Sequence, residues 1–171
     1  MTEPVSAAAS PSVSRGSLYV VATPIGNLAD LTFRARDVLA SVDTILAEDT
    51  RNTATLLAHH GIRTKSVSLH EHNEAKRADE VVEAMLAGRS FALVSDAGTP
   101  GISDPGARLV ARVREAGLPV VPLPGPNAAI AALSASGIEG PFLFLGFLPA
   151  RSAARREAIS PYAALPCAIV V

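Results

Sequence analysis

From Ser17 to Leu148 the chain alternates short apolar runs with longer segments of helical pattern, and this alternation constrains the fold more than any other feature. The runs "SLYVVA", "DTILAE", "KSVSL", "SFALV", "PVVPL" and "PFLFLGFL" have the length and aliphatic character of buried strands. Between them lie "LTFRARDVLASV", "NTATLLAHHG", "NEAKRADEVVEAMLAG", "ARLVARVREAG" and the alanine-rich "PNAAIAALSASG", all read as helices. Thr32 stands near the first helix start, Gly61 closes the second, Asn73 caps and Gly88 ends the third, and Asp104-Pro105 is a cap and first-turn pair for the fourth. Strands that alternate with helices pack as a mostly parallel sheet with helices on both faces, so the expected class is α/β.

The flanks break the pattern. Residues 1–16, rich in Ala, Ser and Pro, read as a disordered tail without the apolar centre of a signal peptide. Residues 17–148 form the expected N-terminal α/β domain, and 149–171 a linker and the beginning of an incomplete second domain, ending in the strand-like "LPCAIVV". No apolar run approaches the ~20 residues of a membrane span. With 15 basic and 16 acidic side chains there is no general field toward nucleic acid, so any RNA contact needs a local patch. The single cysteine, Cys167, excludes an internal disulfide and fits a reducing cytoplasm.

Three crossings are richer in Gly and Pro than a plain connection of two to six residues requires. They are "ATPIGN" after the first strand, "SDAGTPGISDPG" after the fourth and "PGPNAA" after the fifth. In an open parallel sheet all three fall at the carboxyl edge, where ligands sit. Glycine admits close backbone approach and proline stiffens the loop, which together make a pre-shaped, backbone-lined pocket. Neither G-x-G-x-x-G after the first strand nor G-x-x-x-x-G-K-[ST] anywhere is present, so the expected ligand is small and needs no Lys-clamped triphosphate.

The segments "SLYVVATPIGNLADLTFRA", "ILAEDTRNTATLL", "LHEHNE", "ALVSDAGTPGISDPG", "PLPGPNAAIAALSASG" and "FLFLGFLP" follow the order and spacing of one family. From Ser17 to about Arg156 the chain closely resembles the ribosomal RNA small-subunit methyltransferase I family of the tetrapyrrole methylase superfamily. That resemblance implies S-adenosylmethionine as methyl donor and a cytidine ribose 2′-hydroxyl of 16S rRNA, in the small ribosomal subunit, as acceptor. It also implies a cytoplasmic homodimer of two-domain chains, no membrane, no metal, and a donor held between the domains. On this reading the 171-residue piece is inactive alone. Two alternatives stay open: a superfamily relative acting on a tetrapyrrole or a diphthine-type histidine, and a non-catalytic module that binds the donor or RNA.

Carried over by motif position, the donor pocket would use Pro24 and Ile25 of the first loop, and Asp96, Gly98, Thr99, Ile102 and Ser103 of the long loop. Pro126, Asn127 and Ala128 would complete it. Exposed amides and helix starts suit the methionine carboxylate, Asp96 suits the amino group, and Ile25 and Ile102 suit adenine; a loop-bracing Asx turn is the other reading of Asp96. In "AEDTR", Glu48 or Asp49 would orient or deprotonate the acceptor hydroxyl and Arg51 hold a phosphate. Equally, Asp49 caps the following helix and Arg51 pairs with it. His70 and Asn73 of "HEHN" would be cleft-edge residues near the acceptor, with a cap role open for Asn73; His70 and His72 share a face, but no third metal ligand follows. Arg151, Arg155 and Arg156, with Arg63 and Lys65, are either phosphate contacts or a solvated charged surface.

Overall fold

The computed structural model describes residues 13–171. These fall into two compact units, the first ending at Pro126 and the second running Asn127–Val171. Of the tail expected over 1–16, residues 1–12 lie outside the described residues. The last four are placed: Val13 packs against the core and the Ser14 N–H donates to Tyr19 Oη at 2.8 Å. Tyr19 is a buried ring whose hydroxyl needs a partner, which draws this stretch onto the domain.

The first unit holds five strands: β1 (Leu18–Val21), β2 (Thr44–Ala47), β3 (Ser66–Ser68), β4 (Phe91–Val94) and β5 (Val120–Leu123). Four helices connect them: α1 (Phe33–Ser41), α2 (Thr50–His59), α3 (Glu74–Leu86) and α4 (Ala107–Glu115). Strand order is β3-β2-β4-β1-β5, and every pairing is parallel. Alternate residues of each strand feed two cores, as the two-residue period of a strand requires. Tyr19, Val21, Ile45, Ala47, Ala92 and Val94 pack with residues of α1 and α2. Leu18, Leu46, Phe91 and Leu93 pack with residues of α3 and α4. Burying one such aliphatic side chain stabilises by about 1.5–3 kcal/mol. The α/β class, with helices on both faces, is what the alternation demanded.

The second unit contains α5 (Ala128–Ser136), β6 (Phe142–Phe144), α6 (Ser152–Ile159) and β7 (Ala168–Val170). β6 and β7 pair in parallel in a sheet of their own, with α6 as the helix between them. The sequence reading carries the first domain to Leu148 and counts the "FLF" run as its sixth strand; the structure instead ends the first unit at Pro126 and gives that strand to the second. The physical reason lies in β5. It is an edge strand with Pro122 opposite Val20, and a proline has no N–H to offer a further strand. Among the described residues no helix is long and apolar enough to cross a membrane.

Two helix starts differ from expectation. Thr32 Oγ1 caps α1 by accepting from the Ala35 N–H at 3.1 Å, but Asn73 makes no cap bond to α3. Its Oδ1 turns back to accept from the His70 N–H at 2.9 Å, and its Nδ2 donates to Ser68 O at 3.3 Å, so it braces the β3–α3 turn. The cap of α4 is Gly106, not Asp104, at φ 128°. Any side chain is strained at this φ, and its β-carbon would press on Leu93 Cδ2 in the core at 2.6 Å.

Candidate functional site

Neighbouring strands β1 and β4 send the chain in opposite directions: β1 leads to β2 beyond β4, and β4 leads to β5 beyond β1. Such a switch opens a crevice outside the strand ends. The first and fourth loops are bolted together there. The Thr23 N–H donates to Gly98 O at 2.9 Å and the Gly98 N–H to Thr23 O at 3.0 Å. The Thr23 hydroxyl adds a bond to Ser95 O at 3.1 Å. The fifth-strand loop joins them: the Thr99 hydroxyl donates to Pro126 O at 3.2 Å. At Gly125 the main chain passes so close to β1 that a β-carbon would lie 2.8 Å from the Ala22 Cβ.

This brings Pro24, Ile25, Asp96, Gly98, Thr99 and Pro126 to one edge. A β-carbon at Gly98 would point into the space beside Ile25 Cγ2, at 3.5 Å, and Pro126 O, at 3.9 Å. Ile25 and Ile102 are 38% and 48% exposed, large apolar side chains left open on their loops. Ser103 takes φ 65°, a left-handed conformation rare outside glycine and a sign of a tightly specified loop. Asn127 and Ala128 open α5 in the second unit, where Asn127 Oδ1 caps the helix by accepting from the Ile130 N–H at 3.1 Å.

Beside the loops, the ends of β2 and β4 form an acidic rim. Asp96 is no simple Asx turn: its Oδ1 accepts from the Asp49 N–H at 3.1 Å and its Oδ2 from Asn52 Nδ2 at 2.7 Å, tying the β4 loop to the start of α2. Its own N–H donates to Glu48 Oε2 at 3.3 Å. Burial, with Asp104, Asp96 and Asp49 adding repulsion, pushes the Glu48 carboxyl above its usual value despite that bond. Burial also raises Asp104, with Asp96 adding, against a hydrogen bond from Ser95. Asp49 goes the other way, to about 2, because Arg51 bonds it through both side chain and backbone. Asp49 Oδ1 caps α2 by accepting from the Arg51 N–H at 2.8 Å, and the two side chains pair at 2.6 Å. The pair is the structural knot that the sequence left open.

A hollow of about 210 Å³ adjoins the rim, lined by Thr23, Pro24, Leu28, Asn52, Thr55, Leu56 and Asp96. The sequence reading missed Asn52, Thr55 and Leu56, although their i, i+3, i+4 spacing on a helix puts them on one face. Gly125 falls within the "PGPNAA" loop but is not singled out there as a pocket residue. His70 and Asn73 follow β3, three strand spacings from β1, or about 14 Å at ~4.8 Å per strand. His70 Nε2 lies 3.2 Å from Asn73 Nδ2, and its Nδ1 is buried without a hydrogen-bond partner among the described residues. The His70 and His72 rings stand 6.0 Å apart, and among the described residues no three His, Cys, Asp or Glu side chains gather as a metal site. Arg151, Arg155 and Arg156 lie exposed at the start of and along α6, and Arg63 and Lys65 are exposed before β3.

The profile of the family Tetrapyrrole (Corrin/Porphyrin) Methylases matches residues 17–159. The chain belongs to the tetrapyrrole methylase family. This tetrapyrrole methylase chain is 62% identical over 141 residues to the Ribosomal RNA small subunit methyltransferase I of Vibrio cholerae, covering 82% of the chain and 49% of that protein. It is 54% identical over 158 residues to the protein of the same name from Escherichia coli O157:H7, covering 92% and 55%. Among solved structures, the uroporphyrin-III-C-methyltransferase of Thermus thermophilus superposes with a TM-score of 0.55 at 26% identity, over 73% of this chain and 53% of that one. The tetrapyrrole methylase chain thus spans about half the length of the relatives it matches.

Proposed function

We propose that this chain carries the donor-binding part of an S-adenosylmethionine-dependent methyltransferase that acts on a cytidine ribose 2′-hydroxyl in the 16S rRNA of the small ribosomal subunit. The observation that carries the reading is the three-loop edge, with Thr23 clamped to Gly98 and Thr99 tied to Pro126. With both main-chain polar groups of Gly98 bonded to Thr23, the loop is held in one shape beside the open side chains of Ile25 and Ile102, as a pre-shaped donor edge requires. The relatives named Ribosomal RNA small subunit methyltransferase I support small-subunit ribosomal RNA as the substrate class.

On this reading Pro24, Ile25 and Ile102 cover the donor's adenine, and the main chain of Thr99 and Ser103 binds its polar end, with Gly98 shaping the loop through its clamp to Thr23. The donor supplies a methyl group on a positively charged sulfur. Carboxylates of Glu48, Asp96 and Asp104 at the rim favour such a cation over its neutral-sulfur product, an electrostatic preference that also aids product release. The proton of the acceptor hydroxyl falls to Glu48. Arg51 holds Asp49 at about 2, whereas burial raises the Glu48 carboxyl above its usual value, which makes Glu48 the stronger base of the two. The exposed arginines of α6 supply phosphate contacts. On the same reading the whole protein works as a cytoplasmic homodimer.

Mapping ribose methyls on 16S rRNA from cells with and without the complete gene tests the substrate. One cytidine methyl should vanish with the gene; an unchanged methyl map overturns the assignment. Calorimetry of the complete gene product with S-adenosylhomocysteine tests the donor edge, and the absence of binding there overturns it.

A further inference from the structure

Glu74, the first residue of α3, is only 4% exposed and belongs neither to the acidic rim nor to the hollow. Its Oε1 accepts from two backbone N–H groups of another element, Gly106 and Leu109, each at 3.0 Å. A carboxylate this deep persists only when paired. The partners are the N–H groups of the α4 cap residue, Gly106, which has no side chain to offer, and of Leu109 in the first turn.

Two consequences follow. A helix start, with its free N–H groups and positive dipole end, is where a ligand's anionic group would be expected to settle. At α4 that place is already filled by the protein's own carboxylate, so it is closed to the carboxylate of a ligand. Glu74 also anchors the far end of the long loop. The near end is clamped through Gly98 to Thr23, so residues 99–105 are held at both sides. Within them, Thr99 reaches Pro126 and Ser103 is kept at φ 65°.

We propose that Glu74 is a positioning residue for the methyl donor. By occupying the α4 start it fixes loop 99–105 in its receiving shape and directs the donor's carboxylate away from the helix. The proposal rests on the reading of the three-loop edge as the donor site.

The test compares Glu74→Gln and Glu74→Ala with the parent in the complete gene product. It measures amide hydrogen exchange over residues 99–109 and the Kd for S-adenosylhomocysteine by calorimetry. An amide oxygen accepts more weakly than a carboxylate, and alanine accepts nothing. Exchange should therefore accelerate in the order parent, Gln, Ala, and Kd should rise about threefold and at least about tenfold respectively. KM for the donor should rise by the same factors, while kcat at saturating donor and KM for the ribosomal subunit stay unchanged. Should Glu74→Ala fail to fold, Glu74→Gln decides alone. A parent-like Kd in the folded variants, with or without faster exchange, overturns this proposal and leaves the donor reading intact. A parent that binds no S-adenosylhomocysteine overturns the donor reading, and this proposal with it.

Discussion

Glu48 and Asp96 are joined across the mouths of two neighbouring strands, the Asp96 N–H donating to Glu48 Oε2 at 3.3 Å. The bond fixes the orientation of a carboxylate whose proton affinity burial has already raised. Folded Glu48 therefore holds its proton more tightly than unfolded Glu48. Stability falls as pH rises from the ordinary 4.5 through the higher folded value, and the penalty is complete above it. Asp104 acts in the same direction, whereas Asp43 and Asp49, both lowered, lose their stabilising effect only as pH falls below the usual 3.8.

Glu48→Gln should therefore be more stable than the parent near neutral pH, with the difference closing at acid pH. Its amide oxygen can still accept from Asp96, so the fold is kept. Urea unfolding across a pH series measures this, and a variant less stable than the parent at neutral pH contradicts it. On the proposed mechanism the same variant loses about 10²–10⁴ in kcat.

Thr99→Val removes the hydroxyl that reaches Pro126 O while keeping the side chain's shape. One such hydrogen bond contributes about 0.5–1.5 kcal/mol. The Kd for S-adenosylhomocysteine should rise about two- to tenfold, with Tm lower by about 2–4 °C. Calorimetry and a melting curve decide it.

Gly125→Ala sets a new methyl 2.8 Å from the Ala22 Cβ at the end of β1, and neither partner can rotate away. Overpacking of this kind costs about 1–3 kcal/mol. Chemical denaturation should show that loss, accompanied by weaker donor binding because two of the three loops are pushed apart. Wild-type stability would mean that the β5 loop is not held against β1.

Replacing Arg151, Arg155 and Arg156 together by Ala should weaken binding to small subunits and flatten its salt dependence by about one unit of slope for each phosphate no longer neutralised. These side chains are exposed, so the melting temperature should hardly move. An unchanged slope assigns the three arginines to solvent.

What the sequence made legible is what depends on near neighbours in the chain. Thr32 caps a helix three residues away, Gly61 closes α2 at φ 67°, and the alternation of runs dictates a parallel sheet covered on both faces. The three Gly/Pro loops were legible too, because their composition is costly without a reason. What escaped depends on distant partners. The Asp104-Pro105 pair has the local look of a cap, but the α4 donors are satisfied by Glu74, 32 and 35 residues away in the chain. Asn73 has the right type and position to cap α3, yet the β3–α3 turn claims its side chain. The partner of β6 is β7, and strand pairing is not written in either segment alone.

Pro122 has a meaning beyond the end of one domain. The outermost strand of a parallel sheet is a template on which other chains can nucleate, and a residue that breaks its row of donors makes the template unreadable. On an edge left open, such a break guards against pairing with a second copy of the chain. Pro122→Val would restore the row, and its cost would appear as loss of soluble protein during refolding rather than as a weaker native state.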